Sequence, residues 1–321
     1  MPLTNKQYET VKAVIDERRK RAEQEALDRK KEAAEKIPAL KDLLDEISKK
    51  GADSVRRYIA GDQGVREDLN RFLSDALPMK EKLLQEGGFP KDHLETHYTC
   101  EKCSDTGYLP DGEKCSCFKQ LEYDLVFSQD IQRQLFSKNN FSTFDLNVFP
   151  DEGVDEKTGR TPRQNAVWAR EAAKKFLSFS PEAKQNLLIY GTTGTGKTFL
   201  SNCVAKEALD KGLTVIYLTA SEFLQIASAS EFKHIDGPYR NMMETELLVI
   251  DDLGTELINS FVEAAVYRLI NERLLAARRT VISTNLFPAN IAECYNERVW
   301  SRIAGNYQFI RMTGPDLRFQ E

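Results

Sequence analysis

Eight residues, Gly191, Thr192, Thr193, Gly194, Thr195, Gly196, Lys197 and Thr198, fit the spacing G-x-x-x-x-G-K-[ST]. Glycines there leave backbone N–H groups free to wrap a polyphosphate at a helix amino terminus. Lys197 then reaches the β- and γ-phosphates, and the Thr198 hydroxyl ligates Mg²⁺. ATP and ADP are the expected ligands. A glycine-rich turn matching by chance is the competing reading. The apolar run NLLIY (186–190) before the motif and the helical pattern after it argue against that.

Downstream, Leu247–Ile250 run into Asp251 and Asp252. Asp251 at a strand end suits the Mg²⁺ shell, and Asp252 suits orienting or deprotonating an attacking water. Alone, two acids after an apolar strand also describe a surface turn; the phosphate motif upstream favours the site. Aspartate is a shorter base than glutamate, so slow hydrolysis is expected. The next apolar run ends in Ser283-Thr284-Asn285. Asn285 is placed either to sense a γ-phosphate or simply to turn the chain from strand to helix.

Four of the six cysteines fall within eighteen residues: Cys100, Cys103, Cys115 and Cys117. Four thiolates suffice for tetrahedral Zn²⁺, and a site with no open position is structural, not catalytic. The second pair is C-x-C where C-x₂-C is usual, so His93 or His97 stays open as a substitute ligand. Free thiols in a reducing compartment are the alternative. Cys203 and Cys294 lie in helical patterns and read as packing residues.

The surrounding elements must position these groups. Five apolar runs, 186–190, 214–219, 246–251, 280–285 and 307–312, read as buried strands. Helical patterns separate them at 197–211, 221–230, 259–276 and 289–303, which implies an α/β fold with a parallel sheet covered on both faces. Residues 1–36 carry ten Lys/Arg against eight Asp/Glu, with apolar positions only in a thin stripe. A long solvated helix is expected there, ended by Pro38. Further helices are expected at 39–50, 53–60 and 65–85. The polar stretch 139–164 reads as a linker. The expected division is thus a charged helix (1–36), a helical zinc-binding adapter (37–136), a linker (137–165) and an ATP-binding domain (166–321).

The whole chain of 321 residues has 45 Lys/Arg against 50 Asp/Glu, a net charge of −5. Coating DNA by bulk charge is disfavoured, although a local basic groove is not. The segment 220–240 places Phe232, Lys233, His234, Tyr239 and Arg240 close together. That mixture reads either as a clamp for single-stranded DNA or as a core helix with a surface loop. No apolar run has membrane-spanning length and no secretory signal is visible, so a soluble, cytoplasmic protein is expected.

The segments LLIYGTTGTGKTFL, LLVIDDLGTE, VISTNL and ERVWSRIAGN resemble the AAA+ ATPases of the bacterial DnaC/DnaI helicase-loader family, across about 139–321. The cysteine-bearing half also resembles Gram-positive-type loaders. The resemblance implies that Asn285 is sensor 1, that Arg302 is a finger given to a neighbouring subunit's ATP, and that Arg318 is the sensor 2 residue. Arg298 and Arg302 are four apart and share a helical face, so salt bridges to Glu293 or Glu297 are the alternative for that pair. Nine residues follow the last expected strand. That is too few for the helical lid of initiators such as DnaA, and it fits loaders and IstB transposition helpers. The implied function is an ATPase, slow and stimulated by DNA or by self-assembly, that places a hexameric replicative helicase on single-stranded DNA. Two rivals stand beside it: an IstB-type transposition helper, and a nucleotide-gated interaction module without significant hydrolysis.

Overall fold

Every apolar run expected as a strand forms one. β1 (Asn186–Tyr190), β2 (Val215–Thr219), β3 (Leu247–Leu253), β4 (Arg279–Thr284) and β5 (Tyr307–Arg311) make a parallel sheet in the order β2-β3-β4-β1-β5. These come from a computed structural model describing residues 4–178 and 186–319. Along the apolar runs, side chains alternate between the two faces. Leu187, Ile189, Leu247, Val249 and Val281 enter one core with α6 (Pro162–Phe176) and α7 (Lys197–Asp210). Leu188, Leu248, Ile250 and Ile282 enter the other, against α8 (Ala220–Lys233), α9 (Asp236–Glu244) and α10 (Ser260–Leu275). Each of these wholly buried aliphatic side chains contributes about 1.5–3 kcal/mol, which is why the strands read so clearly as unbroken apolar runs.

β4 lies between β1 and β3. The carboxyl end of β4 is therefore held between the loop that follows β1 and the acids that end β3. The expected single helix over 289–303 is two, α11 (Pro288–Tyr295) and α12 (Glu297–Asn306). The break is Asn296, at φ +88°, whose side chain accepts the N–H groups of Arg298 and Val299 and starts the second helix. The segment after α8, left open as a surface loop, contains α9.

The chain divides into two compact units, Lys12–Cys115, and Met1–Val11 together with Ser116–Glu321. These differ from the expected boundaries. Residues 116–136 were assigned to the adapter, yet they serve the sheet. In α4 (Ser116–Phe127) the Gln120 amide donates to the Val215 carbonyl at 2.9 Å and accepts its N–H at 2.6 Å. Gln129, just before α5 (Asp130–Lys138), treats Tyr217 the same way at 2.8 and 3.2 Å. Side-chain amides thus occupy the free edge of β2, which would otherwise expose a row of unpaired backbone groups. The expected linker is not loose either. Phe144 and Phe149 stack at 5.8 Å and are buried, and Thr161 and Gln164 form a reciprocal cap that starts α6 inside that segment.

The other unit holds most of α1 (Asn5–Lys36), with α2 (Pro38–Ile59) and α3 (Val65–Glu86). Residues 1–3 of the expected first helix lie outside the described residues. Pro38 ends that helix by beginning the next, and the helices expected at 39–50 and 53–60 are one, carrying Gly51 inside it. The thin stripe of α1 is real: Ile15, Ala22, Ala26 and Ala33 are buried. Ala33 packs with Leu40 and Leu84. Arg29 donates to the carbonyls of His93 and Glu95 at 2.8 and 2.7 Å. Among the described residues, no helix is long and apolar enough to cross a membrane.

Candidate nucleotide site and thiol cluster

The glycine-rich loop joins β1 to α7, and backbone conformation favours glycine at two of its positions. Gly191, at φ +148°, lies against the Met312 carbonyl, which a Cβ would approach to 2.1 Å. Gly194, at φ +78°, lies against the Asp316 carboxylate, where a Cβ would come within 2.0 Å. A side chain at Gly191 meets both a backbone clash and an unfavourable φ; at Gly194 the carboxylate can swing aside and the left-handed φ is the barrier. Within the loop, Thr195 Oγ1 and Lys197 Nζ each donate to the Thr192 carbonyl at 2.8 Å. Lys197 is buried; burial pushes its pKa below the ordinary value, while the charges of Asp252 and Asp251 pull the other way.

Across the sheet end, Thr198 Oγ1 donates to Asp251 Oδ1 at a long 3.4 Å. Asp251 is buried, which raises its carboxyl pKa, and a hydrogen bond from Ser283 opposes that rise. A hydroxyl and a buried carboxylate facing each other beside a phosphate loop are the donor set a hard divalent cation takes. Asp252 is exposed and stands in the left-handed region at φ +57°.

A half-open cleft of about 500 Å³ brings the expected residues together. Its floor holds Thr193, Gly194, Gly196, Lys197 and Thr198, and Asp252, Asn285 and Arg318 reach it from three other segments. The Asn285 Oδ1 is buried without a hydrogen-bond partner among the described residues. Arg318 lies at the rim, engaged by Asp316 through two contacts of 2.9 and 2.6 Å. That ion pair draws the Asp316 carboxyl down to about 2. Asp316 was not singled out from sequence, although its i, i+2 spacing to Arg318 was visible.

One wall of the cleft was missed altogether. Phe144, Val148 and Phe149 come from the segment read as a linker, with Phe199 from α7 beside them. An apolar wall next to a phosphate cradle suits a flat heterocyclic base. The aromatic spacing in Asn139–Phe149 carried that signal. Arg302, on α12, is exposed and does not line the cleft. Neither it nor Arg298 has an ion-pair partner among the described residues, so the proposed bridges to Glu293 or Glu297 are not made.

The four cysteines do meet. One sulfur from each of Cys100, Cys103, Cys115 and Cys117 lies within 4.8 Å of the others, a group that could hold a metal ion. Cys100 and Cys115 sulfurs stand 3.8 Å apart. A tetrahedron with metal–sulfur bonds of about 2.3 Å sets its corners about 3.8 Å apart, so the thiols fit zinc. Buried Asp105 accepts the N–H groups of Thr99 and Cys100 at 2.8 and 2.9 Å and shapes the first turn. His93 stacks on Phe89 at 4.4 Å, and neither His93 nor His97 belongs to the cluster.

Part of the chain is similar to known proteins. Residues 170–299 match the family described as IstB-like ATP binding protein. The chromosomal replication initiator protein DnaA of Campylobacter concisus (strain 13826) is 33% identical over 138 residues, 41% of this chain and 30% of that protein. An insertion sequence IS21-like ATP-binding protein of Bacteroides fragilis (strain YCH46) is 26% identical over 169 residues, 48% of this chain and 78% of the relative. The solved DnaC helicase loader is matched over 56% of this chain and 99% of its own at 19% identity, with a TM-score of 0.45. The chain spans between 27% and 34% of the length of three DnaA relatives.

Proposed function

We propose that the protein is an ATP-switched loader of a hexameric helicase, reading its ATP-binding domain as an AAA+ domain of the DnaC/IstB-like kind. The loading strand is single-stranded DNA. The observation that carries the proposal is the pairing of this domain with a separate helical unit, Lys12–Cys115, that carries three of the four clustered thiols. The IS21-like relative aligns with 48% of this chain, which leaves room for a unit with a task of its own. In the proposal that unit holds the helicase, and the sheet domain grips DNA when ATP is bound.

Roles at the cleft follow from charge and placement. Lys197 and the loop N–H groups bind the phosphates, and the aromatic wall of Phe144 and Phe149 takes the base. Thr198 and Asp251 would hold Mg²⁺, which supplies charge neutralisation across the phosphate oxygens. Asp252 orients the attacking water and accepts its proton, with Asn285 as second partner to that water or to the γ-phosphate. Arg318 exchanges Asp316 for the nucleotide, and Arg302 serves a neighbouring subunit. A bound nucleotide is thus read by groups on five separate segments, which couples hydrolysis to shape. Assembly with other copies on ATP binding completes the site.

The second reading, a transposition helper acting on duplex DNA, is favoured by the family match itself. Steady-state ATP hydrolysis separates the two. The loader reading expects slow turnover, raised several-fold by single-stranded DNA and little by duplex. Stimulation by duplex alone supports the helper, and no turnover under any condition supports a nucleotide-gated module.

The thiols make a further prediction. Metal analysis of the purified full-length protein should return close to one zinc per chain, and a strong chelator should unfold the Lys12–Cys115 unit, because ligand binding there is also folding free energy. A zinc content near zero with all four thiols open to titration would sink this.

A further inference from the structure

β3 and β4 lose register beside the cleft. Ile250 pairs with Ile282 and Leu253 with Thr284, so Asp251 and Asp252 together face the single residue Ser283. A bulge of this kind re-aims a side chain, and here it places Asp252 in the left-handed region at φ +57°, which L side chains rarely adopt. Something must hold that conformation. The Ser283 side chain touches both acids. Its hydroxyl donates to Asp251 Oδ1 in a very short contact and accepts the Asp252 N–H at 3.0 Å.

Ser283 is wholly buried. A hydroxyl in such a place has no water to turn to, so its one proton is committed to Asp251 and its lone pair to Asp252. The same Asp251 oxygen accepts from Thr198. Tyr217 is also buried, and burial pushes the phenol's pKa well above its ordinary value. Alanine would satisfy the space and neither bond.

We infer that Ser283 is a positioning residue for the acidic pair, fixing the cation-side carboxylate Asp251 and the water-side residue Asp252 through one hydroxyl. It sets their separation, so cation and attacking water arrive in register. This rests on reading the cleft as an ATP site. It also gives a role to the wholly buried hydroxyl that follows Val281 and Ile282 in β4. Supporting groups of this kind are worth about 10–100-fold in metal affinity or activity.

The test uses full-length protein carrying Ser283→Ala and Ser283→Thr. Equilibrium binding of a fluorescent ATP analogue is titrated with Mg²⁺, and amide exchange of Asp252 is followed without nucleotide. Ser283→Ala should need about 10-fold more Mg²⁺ for half-maximal binding, leave binding in chelator unchanged, and speed exchange at Asp252. Ser283→Thr, which keeps the hydroxyl, should restore all three. Wild-type Mg²⁺ dependence in Ser283→Ala, or equal impairment in both variants, overturns the assignment. Should the alanine variant not fold, Ser283→Cys fills the same space with a far weaker hydrogen-bonding group and is read identically. If the wild type binds Mg²⁺ and ATP but never hydrolyses it, the ATPase reading fails while the titration still decides the role of Ser283.

Discussion

Lys197→Ala is expected to lose ATP affinity by at least about 10²-fold and to abolish ATP-dependent DNA binding, while helicase capture survives. Lys197 is a buried cation whose Nζ donates to a loop carbonyl, that of Thr192, at 2.8 Å. A phosphate is a far stronger acceptor, and each hydrogen bond involving a charged group contributes about 1.5–3 kcal/mol. Two such bonds, one to each of the β- and γ-phosphates, account for the loss. Removing residues 1–90 should do the reverse, abolishing capture and sparing nucleotide binding, because none of the described residues in that stretch lines the cleft. Filter binding of labelled ATP and a pull-down with purified helicase check both halves. Full-strength capture by the truncated chain would contradict the division of labour.

Arg302→Ala should bind ATP almost normally yet lose stimulated hydrolysis and assembly. The side chain is exposed on α12 and lies outside its own cleft, so any phosphate it meets belongs to another copy. Arginine fingers supplied in trans contribute about 10³–10⁵ in rate in well-studied systems, and a slow switch ATPase uses less. Mixing Arg302→Ala with Lys197→Ala should partly restore activity, since one copy brings an intact pocket and the other an intact finger. A mixture as inactive as either parent means that Arg302 does not act across an interface. Dependence on a neighbour would delay release until the assembly is complete.

The sheet was legible because its strands are apolar on both faces; residues such as Leu248 and Val249 have no polar alternation to confuse with a surface strand. The phosphate loop and acids were legible because their spacing is set by local backbone geometry. What escaped was long-range. Gln120 and Gln129 look like ordinary helical surface residues until β2 is beside them. Phe144 and Phe149 sit among Asn, Ser and Asp, so composition read as linker while two rings built a wall. Ser283 has meaning only through the bulge opposite, which no periodicity in β3 announces. Asn296 broke a helix because a side-chain cap outweighed continued propensity.

Loading itself is the most direct measurement of the central claim. A ring helicase is incubated with closed circular single-stranded DNA, and its retention on the circle is followed by sedimentation or single-molecule imaging. This protein with ATP should raise retention well above helicase alone, and Lys197→Ala should not. Retention unchanged by this protein, or equal with Lys197→Ala, would contradict that claim.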